Sequence, residues 1–151
     1  MLSFSIVETE VRDFMNKFLR EGAFDSFEVR GVDISSFARF EIDGAAPESA
    51  HEGGKTYCTW GELRPYVYNI IKGRRPRAFK AVLSLPGEQV QALHDNLSAC
   101  FLNLMFNGSL ILCTAAVSEK AFALDRAADE VWHAYITEFF KEKKIAIAKA
   151  I

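Results

Sequence analysis

The chain has few of the residues on which disulfide-bonded or metal-bound small proteins depend. It contains three cysteines and three histidines among 151 residues, and no two cysteines form a Cys-x-x-Cys pair. This usage favours neither a disulfide framework nor a zinc site, and it is typical of a reducing compartment. The first six residues meet acidic Glu8 and Glu10 instead of following a basic segment, unlike a secretory signal peptide. We therefore expect a cytoplasmic protein without a metal or other cofactor.

Catalytic motifs are also absent from the sequence. It has no Gly-x-Ser-x-Gly motif and no dinucleotide-binding fingerprint. The run Gly53-Gly54-Lys55-Thr56 lacks the upstream glycine of a phosphate loop. Glu130 and His133 have the Glu-x-x-His spacing of di-iron sites, but such sites need a second copy of the motif. An imidazole at the edge of a helix is the simpler interpretation of His133, so we predict no catalytic residue and favour a protein that is not an enzyme.

One uncharged stretch, residues 96–118, is long enough to span a bilayer. Asn107-Gly108 lies near its middle, however, and Asn-Gly between apolar runs indicates a β-hairpin with a type I′ turn. We therefore predict a hairpin of residues 100–106 with 109–117, in which Phe106 faces Ser109, and no membrane span. Both faces of this hairpin are largely apolar. The hairpin is therefore predicted to be central in its sheet and covered on both sides, or to form part of a subunit interface.

Composition favours one globular domain over residues 1–151. Half of the residues are apolar, a quarter are charged and thirteen are phenylalanine, which is enough to bury a sizeable core at this length. Apolar periodicity predicts an α+β fold with a largely antiparallel sheet. Besides the hairpin, the predicted strands cover residues 2–6, 27–34, 37–43 and 78–85; the predicted helices cover residues 8–20, 86–97 and 125–145, with another beginning at Arg64–Pro65 after a capped turn at Thr59.

The order strand, helix, strand, strand, helix occurs twice, about 76 residues apart, which predicts two tandem units near residues 1–74 and 75–151. Such β-α-β-β-α units resemble the half-repeats of DNA sliding clamps and of TATA-binding-protein-like folds, in which paired units build a curved sheet backed by helices. A shared fold would not establish a function.

Charge is unevenly distributed along the chain. Residues 1–62 carry a net charge of −6, residues 63–80 carry +6 with no acid, and the remainder carries −2. The basic segment could be a solvated connector whose cations complement a helix dipole, or it could contact phosphate or nucleic acid. An isoelectric point near 5.9 argues against a dedicated DNA-binding protein. The candidate anion or nucleic-acid contacts are Arg64, Lys72, Arg74, Arg75, Arg77 and Lys80.

Several short runs together resemble a known family. They are Asp13-Phe14-Met15-Asn16-Lys17, Phe40-Glu41-Ile42-Asp43-Gly44, Trp60 with Arg64-Pro65 and Lys72-Gly73, and Phe122-Ala123-Leu124-Asp125 followed by Trp132. The chain in these runs is similar to an uncharacterised family of Clostridia-type Firmicutes that is catalogued as a domain of unknown function. The resemblance implies a bacterial cytoplasmic origin and supplies no activity.

Three hypotheses of function follow. The first is a non-enzymatic binding or regulatory module that self-associates as a homodimer through the apolar hairpin or the aromatic last helix. The second is a protein that binds nucleic acid or another polyanion through residues 64–80. The third is an enzyme with a pocket near the polar loop at residues 44–58.

Overall fold

A computed structural model describes residues 1–47, 56–72 and 74–148 of the chain. It consists of one six-stranded sheet and helices, which confirms the α+β prediction. The strands are β1 (Leu2–Ile6), β2 (Glu28–Ser35), β3 (Arg39–Ile42), β4 (Ala78–Ser84), β5 (Leu97–Phe106) and β6 (Ile111–Glu119). The helices are α1 (Val11–Leu19), preceded by a 3-10 turn at Glu8–Glu10, then α2 (Trp60–Ile71), α3 (Gly87–Leu93) and α4 (Ala127–Glu142).

The strand order across the sheet is β1-β6-β5-β4-β2-β3, and every neighbouring pair is antiparallel. Along the chain, the order β-α-β-β-α occurs twice, as expected. The strand neighbours of the two halves differ, because β4 pairs with β5 whereas β1 pairs with β6 and not with β2. The strand pairing therefore does not establish a tandem repeat, which stays a prediction.

The central hairpin has a longer turn than the sequence predicts. Phe106 pairs with Ile111 and not with Ser109, so the connection has four residues. A type I′ turn needs a positive φ at two successive residues, but in this turn only Gly108 has one, at 98°. The side-chain oxygen of Asn107 instead accepts hydrogen bonds from the backbone N–H groups of Ser109 and Leu110, at 2.9 and 3.0 Å. The register moves by two residues, which leaves every side chain on its predicted face.

One face of the sheet carries the core. Phe4 of β1 lies edge-on to Phe140 of α4, with ring centroids 5.0 Å apart, and Phe18 of α1 stacks on Phe79 of β4 at 5.9 Å. Most side chains of the opposite face are only partly buried, and Met105 is 43% exposed, although Ser5 and Ser84 are buried there. All four described helices contribute buried side chains to this one core cluster. Coverage of the hairpin on both sides is therefore not found in the described part of the chain, and the subunit interface stays a prediction.

Helix α2 begins four residues earlier than expected, at Trp60. Thr59 and Glu62 form a capping box: the Thr59 hydroxyl accepts from the Glu62 N–H at 3.3 Å, and a Glu62 carboxylate oxygen accepts from the Thr59 N–H at 3.0 Å. The buried indole of Trp60 donates to the Phe18 carbonyl at 2.8 Å. These contacts fix the first turn, and the helix continues through the exposed Pro65. In the part of the chain that the structure describes, no helix is long and apolar enough to span a membrane.

A cationic groove between α1 and α2

Half of the predicted anion contacts line one surface groove, which we call the cationic groove. Lys72, Arg74 and Arg75 border it where α2 runs into the connector before β4. Arg12 and Arg20 border it from the side of α1. The groove has a volume of about 1120 Å³. Its other lining residues are Thr9, Asp13, Met15, Asn16, Leu19, Tyr68 and Ile71.

Packing between α1 and α2 brings the two sets of cations together. The Phe18 ring lies parallel to the Trp60 indole, with centroids 4.2 Å apart, and both side chains are buried. This contact joins the last turn of α1 to the first turn of α2. Arg12 and Arg20 of α1 and Lys72 after α2 are thereby placed around the same groove.

Arg64 does not line the groove, although the sequence placed it among the candidate contacts. Its guanidinium donates two hydrogen bonds to the Asp25 carboxylate, at 2.8 and 2.9 Å, and further bonds to the carbonyls of Leu19 and Arg20, at 3.3 and 3.2 Å. The hydrogen bond to Asp25 raises the pKa of Arg64 against the opposing effect of burial. Arg64 therefore joins the end of α1 to α2, and four of its five N–H donors are engaged within the protein.

Arg77 and Lys80 also lie outside the groove. The side chain of Arg77 is exposed, and its backbone N–H donates to the Ser35 carbonyl at 2.8 Å. Lys80 lies on β4 opposite Asp33. The pKa of Asp33 is lowered mainly by a hydrogen bond from Arg39, with a smaller contribution from the charge of Lys80. Lys80 therefore belongs to the open face of the sheet.

None of the five cations of the groove forms an ion pair with a carboxylate of the described residues. Asp13, the acid that lines the groove, has its carboxylate 3.0 Å from the Lys17 ammonium, which also donates to the Lys144 carbonyl. By contrast, Arg39, Arg64 and Arg126 all have carboxylate partners. The groove therefore concentrates positive charge that the described protein leaves uncompensated.

Three of the groove's guanidinium groups lie against aromatic rings. Arg20 is 5.4 Å from the centroid of Tyr68, Arg74 is 4.9 Å from that of Phe37, and Arg75 is 5.6 Å from that of Phe106. Arg75 also donates to the Gly108 carbonyl at 3.2 Å. Cation–π contacts orient a guanidinium without neutralising it. The charges are therefore held in place and stay available to an anion.

A second, largely apolar cavity of about 470 Å³ adjoins the cationic groove, and we call it the apolar cavity. The two share five lining residues, so they form one continuous depression. Apolar side chains make up most of the lining: Val11, Met15, Leu19, Ile71, Pro76 and Phe106. Glu8, Arg12 and Arg75 complete it.

Sequence reasoning found three of the five cations. It missed Arg12 and Arg20, which lie more than fifty residues before Lys72 and whose local sequence is ordinary for an amphipathic helix. They lie near Lys72 because Phe18 packs on Trp60, a contact that makes α1 and α2 neighbours and that is seen only in the structure. No periodicity within either helix carries that information.

The described residues contain no group of three or more histidine, cysteine, aspartate or glutamate side chains placed to hold a metal ion. His133 Nε2 lies 3.2 Å from Asp129 Oδ1, and burial lowers the pKa of His133 despite that neighbouring charge. Burial raises the pKa of Cys100 to about 11 and that of Cys113 to about 12. Residues 48–55, the middle of the loop predicted to border an enzyme pocket, lie outside the described residues.

Comparison with protein families places residues 17–148 in a family of unknown function, DUF5721. This match covers more than half of the chain and confirms the predicted resemblance to an uncharacterised domain family. Comparisons with curated proteins and with solved structures gave no match.

Proposed function

The chain belongs to DUF5721, a family whose description names no activity, and from the geometry of the groove we propose that this protein is a binding module for an anionic ligand. The observation that carries the proposal is the cationic groove, in which five basic side chains meet without a carboxylate partner among the described residues. Two of them come from α1 and the residue after it, and three come from the connector that follows α2. We place this module in the bacterial cytoplasm, which its three free cysteines favour.

Electrostatics explains why such a groove selects an anion. Like charges within one cleft repel each other, and an anion in the cleft relieves that repulsion. Arginine presents a planar set of donors that matches the oxygens of carboxylate or phosphate, and four of the five cations are arginines. The whole chain has a net charge of −2. The attraction for anions is therefore local to the groove and not a property of the whole surface.

This proposal develops the second hypothesis from the sequence, polyanion or nucleic-acid binding through residues 64–80. It changes the set of residues that contact the anion. Lys72, Arg74 and Arg75 stay in the candidate site. Arg64, Arg77 and Lys80 are replaced by Arg12 and Arg20.

The test is anion binding by two charge-reversed variants with the same change in net charge. In the groove variant, Arg12→Glu and Arg20→Glu remove two cations that line the site. In the matched control, Arg77→Glu and Lys80→Glu reverse two exposed cations outside it. Isothermal titration calorimetry with pyrophosphate, and fluorescence anisotropy with a labelled mixed-sequence oligonucleotide, would be run at 50 and 200 mM NaCl.

We expect the groove variant to lose at least ten-fold in anion affinity while the control stays within about two-fold of the parent protein. Affinity of the parent should fall at the higher salt concentration. Equal losses in both variants would show that net charge alone attracts the anion, and the groove would then have no special role. Absence of binding by the parent protein to either anion would refute the proposal.

A second candidate function, self-association, is favoured by two large apolar side chains on the loop after β6. Phe122 is 90% exposed and Leu124 is 92% exposed. The start of this loop is held by Asn96, whose side chain donates to the Ala121 carbonyl at 3.0 Å and accepts from the Ala121 N–H at 3.1 Å. The aromatic residues of α4 are less suited to an interface, because Trp132 and Phe140 are buried in the core.

Light scattering at micromolar concentration would test self-association. We expect the parent protein to have the mass of a dimer, and the double variant Phe122→Ser with Leu124→Ser to have that of a monomer. Tyr66→Ser, at another exposed aromatic residue, should leave the mass unchanged. A monomeric parent protein would rule this function out.

A further inference from the structure

The apolar cavity adds information about the ligand that charge alone does not supply. Val11, Leu19 and Phe106 in its wall are almost completely buried, while Met15 and Ile71 are partly exposed. Its volume of about 470 Å³ lies within the range of roughly 300–1,000 Å³ typical of small-molecule sites. When an apolar group displaces water from an apolar cavity of this size, the free energy of the system falls.

Arg12 and Arg75 lie where the cationic groove meets the apolar cavity, because each of them lines both. A ligand group bound to these two cations would have the remaining three, Arg20, Lys72 and Arg74, on one side and the apolar wall on the other. The arrangement matches a molecule with a charged end and an apolar end.

We propose that the ligand is a small amphipathic anion, with a phosphate or carboxylate head in the cationic groove and an aliphatic chain in the apolar cavity. This inference rests on the proposed function, because it uses the same groove for the head. It deepens that function by assigning the ligand's chemical class.

The lining favours an aliphatic chain over a nucleobase. The ring nitrogens and amino groups of a base need hydrogen-bond partners when they leave water. Of the nine described residues that line the cavity, six are apolar; the charged ones are Glu8 and the two cations, Arg12 and Arg75, that would bind the head group. An aliphatic chain has no polar atom to satisfy, and each methylene that leaves water stabilises the complex.

A homologous series of ligands tests this inference quantitatively. Methyl, butyl, hexyl and octyl phosphate have the same head and differ only in chain length. Isothermal titration calorimetry would be run below the concentration at which each compound aggregates. We expect affinity to rise about four-fold for each methylene that enters the cavity, which corresponds to about 0.8 kcal/mol, and to level off once the cavity is full.

Two variants separate the head from the chain. Ile71→Ser makes the wall of the cavity polar at a partly exposed position and should flatten the dependence on chain length, whereas Ile71→Leu should preserve it. Arg20→Glu with Lys72→Glu, at two cations that line the cationic groove and not the apolar cavity, should weaken every member of the series by a similar factor. If the Ile71→Ser protein unfolds, Met15→Gln changes the same wall at another partly exposed side chain.

The outcomes distinguish this inference from the proposed function. Binding of pyrophosphate and of all four alkyl phosphates with equal affinity would overturn the amphipathic ligand and leave the anion-binding module standing. Failure of every anion to bind would overturn both. Equal binding of octylammonium and octyl phosphate would overturn the role of the cationic head site, and tighter binding of AMP than of octyl phosphate would overturn the aliphatic chain.

A last arm distinguishes a soluble ligand from a lipid in a bilayer, since both have the same chemistry. Sedimentation with vesicles of phosphatidylglycerol, compared with vesicles of phosphatidylcholine, reports binding to an anionic bilayer. We expect octyl phosphate in solution to compete with any vesicle binding. Binding to vesicles without any binding of soluble alkyl phosphates would overturn the small-ligand inference.

Discussion

Arg64, which the sequence predicts to contact an anion, serves the stability of the fold in the structure. Its guanidinium makes two short hydrogen bonds to Asp25 and two longer ones to the carbonyls of Leu19 and Arg20. The substitution Arg64→Ala removes all four. We therefore predict that it lowers stability and leaves anion binding unchanged.

The size of the effect follows from exposure and geometry. The side chains of Arg64 and Asp25 are 24% and 35% exposed, so water reaches the carboxylate once its partner is gone. An exposed ion pair contributes about 1 kcal/mol or less, whereas hydrogen bonds to charged groups contribute about 1.5–3 kcal/mol. For this half-buried, two-point contact we expect a loss of about 2 kcal/mol. In a chain of this length that lowers Tm by roughly 4–8 °C.

Differential scanning calorimetry of the parent protein, Arg64→Ala and Arg64→Lys measures this loss. Lysine keeps the charge but cannot make the two-point contact, so its Tm should fall between the other two. Pyrophosphate affinity, measured well below the lowest Tm, should stay within about two-fold of the parent value. A Tm change under 1 °C, or a ten-fold loss of affinity in the folded variant, would refute the assignment of Arg64 to the fold.

Three further predictions concern local features. Thr59→Ala removes the hydroxyl of the capping box and should cost about 1 kcal/mol, seen as a Tm lower by roughly 2–4 °C; an unchanged Tm would contradict the cap. Ellman's reagent should modify Cys58 in the native protein, and Cys100 and Cys113 only after unfolding. Burial raises the pKa of Cys100 to about 11 and that of Cys113 to about 12, so neither forms the reactive thiolate. Fast modification of all three thiols in the native protein would contradict this. Burial lowers the pKa of His133 in the folded protein, so the unfolded chain binds a proton more readily and stability falls as pH drops through about 6.5. His133→Gln should therefore make the free energy of unfolding, measured with urea, less dependent on pH between about 7 and 5. An unchanged pH dependence would show that His133 does not contribute to it.

Most strands and helices could be predicted from periodicity, because each is specified by its own residues. The prediction for β1 matches the structure at both ends, and that for β4 differs by one residue. Errors occur where side chains act on the backbone. Asn107 accepts hydrogen bonds from two N–H groups ahead of it and makes the hairpin turn longer. The predicted cap at Thr59 is present, but it begins α2 itself and not a separate turn before Pro65. Periodicity reports which face a residue occupies and does not detect such hydrogen bonds.

Only part of the candidate site could be predicted, for a different reason. Lys72, Arg74 and Arg75 are neighbours in sequence, so a count of charges along the chain finds them. The same count cannot distinguish Arg64 from the cations of the groove, because its carboxylate partner, Asp25, lies 39 residues away in the sequence. A run of basic residues in a sequence therefore predicts positive charge in a region, and tertiary contacts decide which of those charges face a ligand.

The basic segment and α1 are interdependent parts of one site. Arg64 binds the Asp25 carboxylate beyond the end of α1, and in doing so it helps hold α1 against α2. That packing brings Arg12 and Arg20 to the groove and shapes the apolar cavity between Leu19 and Ile71. The one cation of the segment with a carboxylate partner among the described residues thus adds stability to packing that the Phe18–Trp60 contact also holds. Weakening the Asp25–Arg64 contact by Asp25→Asn should therefore increase transient opening of α1 before the sheet unfolds, while the folded groove keeps its anion affinity. Amide exchange of α1 relative to β5 would detect this, and equal acceleration in both elements would contradict it.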